Sequence, residues 1–161
     1  MEIIEKKLEK RQIAYITYKG SYQEITGLIG EIVGFLIAKG ILTTKGVQWM
    51  GPPFCVYFNS PHEVPVEDLM YEVGMPFAGE AEEKGRVKIK ITPEQLVLST
   101  VRKGSYSECA VAYGEIAKYA YQNGYEIVGP PMETYISDPH ETPENELLTE
   151  ISFPVKRNMS S

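Results

Sequence analysis

Cysteine, tryptophan and long apolar runs are all scarce in this chain of 161 residues, and each scarcity excludes something. The two cysteines, Cys55 and Cys109, have no second cysteine nearby at metal-binding or redox spacing, so both are expected to be free thiols that serve packing. No apolar run approaches the ~20 residues of a membrane-spanning helix. The opening MEIIEKKLEK is too charged for a signal peptide, so a cytoplasmic location and no membrane partner are expected. Positive charge is also short: 16 Lys and Arg against 22 Asp and Glu leave a net charge of −6. That balance argues against nucleic acid and is permissive toward cations. The one basic alternation, RVKIKIT at 86–92, reads as a strand with one wet face. What is present is ordinary for a globular domain, 43% hydrophobic and 24% charged, with enough chain to bury a real core.

The chain says the same thing twice. KGSYQE at 19–24 returns as KGSYSE at 103–108, an offset of 84 residues. GPPFCVYFNSPHEVP at 51–65 returns as GPPMETYISDPHETP at 129–143, and YEVGMPF at 71–77 as TEISFPV at 149–155, both offset by 78. The six extra residues of the first copy fall between its helix and the GPP turn, where a surface connection tolerates a change of length. Each KGSY opens a helix. Ser21 with Glu24, and Ser105 with Glu108, have the spacing of a capping box. Apolar residues follow at helical spacing, and the runs stop at Gly40 and Gly124, which suit a left-handed C-cap. Two copies are too few for a solenoid and predict one domain, 1–158, with repeats of about 2–78 and 86–156.

Each repeat reads as strand, strand, helix, strand, strand: about 2–8, 12–18, 22–39, 53–59 and 68–77, then 86–92, 95–102, 106–123, 131–137 and 146–155. One amphipathic helix and a few strands cannot close a core alone. The expected fold is therefore α+β: two pseudo-symmetric β-α-β-β repeats in a mostly antiparallel sheet, with both helices on one face. Alternation sorts the strand residues by face. Phe54, Val56 and Phe58 are assigned to the helix side, as are Tyr71, Val73, Met75 and Phe77 and their second-copy mates. The opposite side is then expected to carry Tyr57, Tyr135, Glu72 and Glu150.

In its order of motifs the chain resembles the GyrI-like family, the bacterial transcription-activator effector-binding domain, over about residues 2–156. The likeness rests on the two KGSY helix entries, the two GPP segments with their Pro-rich loops, and the two Glu-bearing strands YEVGMPF and TEISFPV. It implies two β-α-β-β units with a ligand cleft at their junction, and multidrug binding. In drug-sensing members an acidic residue among aromatic side chains meets cationic aromatic ligands. Glu150 best matches that acidic position by its place in the final strand, and Glu72 is its repeat mate. No helix-turn-helix or other DNA-reading segment adjoins the domain in this chain, so direct DNA binding is not expected.

The candidate ligand-binding set is Glu150, Glu72, Tyr57, Tyr135, Trp49 and Tyr15. A carboxylate in a partly apolar cleft is costly to desolvate unless a cation arrives. Aromatic faces add about 0.5–2 kcal/mol each toward such a cation. Trp49 lies in the expansion of the first copy, and alternation does not place Tyr15 securely. The plain alternatives are exposed strand glutamates, cross-strand aromatic pairs and a packing Trp. His62 and His140 sit in matching PHE triplets and are expected to serve turns; no metal, other cofactor or Ser-His-Asp spacing is expected. Two functions stay open. One is a non-enzymatic binder of small amphipathic, cationic aromatic molecules. The other, implied by the resemblance, is a hydrolase of cyclopropane-bearing genotoxins, with Glu150 as general base and Tyr135 or Tyr57 assisting. A gyrase-like protein partner or a homodimer is also left open.

Overall fold

The computed structural model describes residues 2–38, 47–104, 106–137 and 141–158. Three expected features, the C-cap Gly40, the capping Ser105 and His140, lie outside the described residues. In chain order the elements are β1 (Ile4–Leu8), β2 (Arg11–Lys19), α1 (Ile25–Ala38), β3 (Gln48–Trp49), β4 (Phe54–Tyr57), β5 (Met70–Ala78), β6 (Lys88–Thr92), β7 (Gln95–Lys103), α2 (Tyr106–Gln122), β8 (Tyr125–Ile127), β9 (Met132–Tyr135) and β10 (Leu148–Arg157). The fold is α+β, and the strand pairings described below are antiparallel.

Contacts divide the chain into a central unit, Lys10–Pro93, and a terminal unit, Met1–Glu9 with Glu94–Ser161. The central unit orders its strands β4-β5-β2-β6, with β3 on the far end of β5. The terminal unit orders its strands β9-β10-β7-β1, with β8 on the far end of β10. The plan is the same in both, but its boundaries differ from those of the sequence repeats. β1 opens the first copy yet pairs with β7 of the second; β6 opens the second copy yet pairs with β2 of the first. The cause is local. Only Glu9-Lys10 separates β1 from β2, and only Pro93-Glu94 separates β6 from β7. Neither pair offers the Asn-Gly or Asp-Gly that closes a two-residue hairpin, so each leading strand runs on and finds its partner elsewhere.

The repeated Lys-Gly-Ser-Tyr has a shared structural reason in its glycine. Gly20 (φ +146°) and Gly104 (φ +122°) take a backbone region open chiefly to glycine. The Gly20 N–H then donates to Leu69 O at 2.8 Å, and the Gly104 N–H to Leu147 O, also at 2.8 Å. These bonds fasten each strand–helix junction to the start of the unit's last long strand. Ser21 Oγ accepts from the Gln23 N–H at 3.1 Å, one residue earlier than a capping box requires. The chain makes a 3-10 turn at Tyr22–Glu24 before α1 begins. Gly124 (φ +78°) follows the end of α2 as expected.

α1 buries Leu28, Ile32, Phe35 and Leu36, a stripe at helical spacing, and lies against β5 and β2. α2 packs Cys109, Ala112, Ile116 and Ala120 on Leu98 of β7 and on Ile151 and Val155 of β10. Cys55 and Cys109 are both buried, and neither forms a disulfide. No helix among the described residues is long and apolar enough to cross a membrane.

Candidate ligand-binding site

The two candidate glutamates occupy equivalent places and are held in equivalent ways. Glu72 lies on β5, 6% exposed, and takes Lys90 Nζ of β6 at 2.7 Å. Glu150 lies on β10 and takes Lys6 Nζ of β1 at 2.5 Å. Because the leading strands cross between the sequence copies, each lysine neutralises the glutamate of the other copy. Tyr15 supports the first pair, with Lys90 Nζ 4.2 Å above its ring. Ser99, the repeat mate of Tyr15, supports the second by donating from Oγ to Glu150 Oε2 at 2.7 Å. Both carboxylates therefore already carry a built-in cation on the sheet face turned from the helices.

Strand register corrects the expected faces of the tyrosines. Residues directly opposite in an antiparallel pair share a face. Tyr57 is opposite Tyr71, and Tyr135 is opposite Thr149, so both stand on the helix side, with Tyr71, Val73 and Ile151. Phe54 goes to the other face, opposite Gly74; a Cβ at Gly74 would lie 2.6 Å from Phe54 Cζ. Arg11 stacks on that ring at 4.7 Å. The misassignment arose because FCVY and METY carry apolar or aromatic residues at both phases of the alternation. Trp49 is likewise corrected: it belongs to β3, opposite Phe77, and matches Ile127 of β8, opposite Val155. It is 38% exposed and lies outside the length change. So Glu72 and Tyr15 come together in the central unit, Glu150 stands in the equivalent place of the terminal unit, and the remaining three candidates lie elsewhere.

The helix-facing side of the terminal unit holds what alternation missed. Two rows cross it, Arg102–Thr149–Tyr135 and Thr100–Ile151–Glu133. Glu133 is only 8% exposed, and the Tyr113 hydroxyl of α2 donates to its Oε2 in a short hydrogen bond. Tyr113 in turn meets Phe153 edge-on, centroids 5.7 Å apart. Arg102 Nη2 donates to Glu115 Oε2 of α2 at 2.7 Å, which leaves its buried Nε–H without a partner. Thr100, 2% exposed, has a buried Oγ1 that also lacks a partner. An unsatisfied buried polar group costs about 1–3 kcal/mol, so two on one face call for an explanation.

The central unit shows what the same positions look like when they only pack. Its rows read Tyr18–Tyr71–Tyr57 and Ile16–Val73–Cys55. Tyr18 and Tyr57 flank Tyr71 with centroids at 5.6 and 6.5 Å, and Tyr22 closes the cluster edge-on against Tyr57 and Tyr71 at 5.1 and 5.5 Å. The Tyr71 hydroxyl donates to Ser21 O at 2.8 Å, and burial pushes its phenol well above the usual tyrosine range. Comparing the two copies position by position, Tyr18 against Arg102, Tyr71 against Thr149, Ile16 against Thr100 and Cys55 against Glu133, would have exposed the polar replacements in the sequence itself. Among the described residues no group of three or more His, Cys, Asp or Glu is placed to hold a metal, and His62 is exposed in its loop.

The chain matches the GyrI-like small molecule binding domain over residues 1–156. It belongs to that family. No curated protein matches it in sequence. Among solved structures, this GyrI-like chain is similar to the EcmrR C-terminal domain, with a TM-score of 0.83 at 19% identity over 97% of this chain and 98% of that one. In an EcmrR–DNA complex, the chain spans only 57% of the length of the EcmrR chain it matches. A hydrolase from Listeria innocua superposes with a TM-score of 0.74 at 11% identity, over 96% and 92% of the two chains. SAV2435, solved bound to tetraphenylphosphonium, gives 0.58 at 16%, over 97% and 94%. At these identities the likenesses establish the fold alone.

Proposed function

We propose that this GyrI-like domain binds small amphipathic, cationic aromatic molecules on the helix-facing side of its terminal unit. Glu133 is the anion, and Tyr113 and Tyr135 are the aromatic walls. The observation that carries the reading is the carboxylate of Glu133, buried beside a phenol and between half-exposed aromatic side chains. A planar cation gains a charge pair in a low-dielectric setting and stacks on the tyrosine faces. Glu72 and Glu150 are weaker anions for this purpose, because Lys90 and Lys6 already occupy them. The tetraphenylphosphonium bound by SAV2435, a lipophilic aromatic cation, is in keeping with this ligand class.

A hydrolytic reading is favoured by the same Tyr113–Glu133 pair, since a carboxylate and a phenol in contact are the parts of a general base with an assisting acid. One titration series addresses both. Fluorescence anisotropy with a rhodamine dye should show Glu133→Gln weakening the cation by about tenfold to a hundredfold, ~1.4–2.7 kcal/mol. A neutral dye of the same shape should lose little. Glu150→Gln should leave the contrast in place; a loss confined to that variant would move the site to Glu150. Mass spectrometry after incubation with a strained cyclopropane electrophile would reveal a product only if the hydrolytic reading holds.

A further inference from the structure

Resting on the reading of Glu133 as the anion, we infer that the same face also recognises a hydrogen-bond acceptor on the ligand, a carbonyl or carboxylate oxygen, through Arg102 Nε–H and the Thr100 hydroxyl. The preferred ligand is then an aromatic cation that carries an acyl or carboxyl group, rather than a purely hydrocarbon cation.

Five observations converge on this. Arg102 and Thr100 share the helix-facing side of β7 and stand in the two rows that end at Tyr135 and Glu133. Their unpartnered atoms, Arg102 Nε and Thr100 Oγ1, are buried, and Thr100 is 2% exposed. Glu115 holds the Arg102 guanidinium by Nη2 at 2.7 Å, which fixes the fork and leaves Nε–H as a preset donor. At the equivalent places the central unit has Tyr18 and Ile16, the first in an aromatic cluster and the second fully buried, so the fold itself does not ask for polar groups there. A buried donor without a partner is costly in the empty protein and is repaid only when a ligand supplies the acceptor. Thr149, small where the central unit has Tyr71, stands between Arg102 and Tyr135 and fills less of that row. The arrangement places a donor pair and an anion on one face, which suits a ligand with an acceptor at one end and a positive charge at the other. The two ends are read by different residues and can be tested separately.

The test uses two dyes with the same xanthenium cation, a rosamine bearing a plain phenyl ring and a rhodamine bearing an ortho-carboxyl on that ring. The wild-type protein should bind the rhodamine at least about tenfold more tightly, the discrimination expected when a site built for a polar group meets an analogue lacking it. Thr100→Val keeps the shape and removes the hydroxyl; Arg102→Lys keeps the charge and removes Nε–H. In each, the ratio of the two affinities should fall toward one. The melting temperature of Thr100→Val should be unchanged or higher, since an orphan polar atom is replaced by a methyl. Equal affinity of both dyes for the wild type would overturn the inference, as would an equal loss of both in Thr100→Val, even if Glu133→Gln abolishes rosamine binding and the anion reading stands. If instead Glu133→Gln leaves rosamine untouched while Thr100→Val collapses the ratio, the acceptor site is supported and the anion reading fails. Failure of both dyes to bind the wild type would overturn both readings.

Discussion

The two units of this protein fold by one plan and differ where their helices meet their sheets. The central unit fills that place with Tyr18, Tyr71 and Tyr57 over Ile16, Val73 and Cys55; the terminal unit sets Arg102, Thr149 and Tyr135 over Thr100, Ile151 and Glu133. In the first, hydroxyls and rings find partners inside the unit. In the second, two polar atoms are buried without partners. Two units that share one strand plan thus provide a control for each other. One copy shows what packing requires, and departures in the other copy mark what packing does not require.

The largest effect should come from making the central unit resemble the terminal one. Tyr71 is fully buried, and Tyr71→Thr removes its ring from three aromatic neighbours together with its bond to Ser21 O. A cost of about 3–5 kcal/mol is expected, as for other large-to-small core changes. Denaturant unfolding would show it; a loss under about 1 kcal/mol would mean that the cluster is not a packing core.

A smaller effect should separate the two crossed ion pairs. Lys90→Met leaves Glu72, 6% exposed, without its cation and removes the Lys90–Tyr15 contact. Lys6→Met leaves Glu150 its Ser99 hydrogen bond and a side chain 15% exposed. Both lysines are more than a third exposed or close to it, so solvent screening reduces the full cost of breaking a buried pair to about 1–3 kcal/mol for Lys90 and less for Lys6. Thermal unfolding of the two variants gives the order directly, at about 2–4 °C per kcal/mol for a chain of this size. Equal losses would mean that Ser99 gives no support.

The smallest effect is in acid. Arg157 beside Glu5 in the terminal unit, and Arg86 beside Glu31 in the central unit, hold those carboxyls below the ordinary value of 4.5. A depressed folded pKa gives stability that is complete above 4.5 and is lost as pH falls through the lower folded value. Melting temperature should therefore decline below about pH 4.5, and Arg157→Gln should flatten the part due to Glu5. An unchanged acid limb in that variant would remove the pair from the account.

Much of this architecture was legible in the chain. Helical spacing located both helices to within three residues at each end, the first preceded by a 3-10 turn. The glycines of the two Lys-Gly-Ser-Tyr segments marked junctions that the structure fastens through Leu69 O and Leu147 O. The short strands β3 and β8 were missed, because two or three residues carry no period. Glu133 was missed because METY was sorted by alternation alone, although a position-by-position comparison with FCVY shows a carboxylate in place of Cys55.

Sequence by itself determined the repeat, the lengths of the long elements and the places where glycine is obligatory, since these follow from local propensity and period. Tertiary structure alone decided which strand receives each leading strand, and with that the crossing of Lys6 to Glu150 and Lys90 to Glu72. It also decided which phase of FCVY and METY faces a helix. The physical reason is the same for both: alternation supplies a period of two, while phase and partner are set by ladder hydrogen bonds to residues far along the chain.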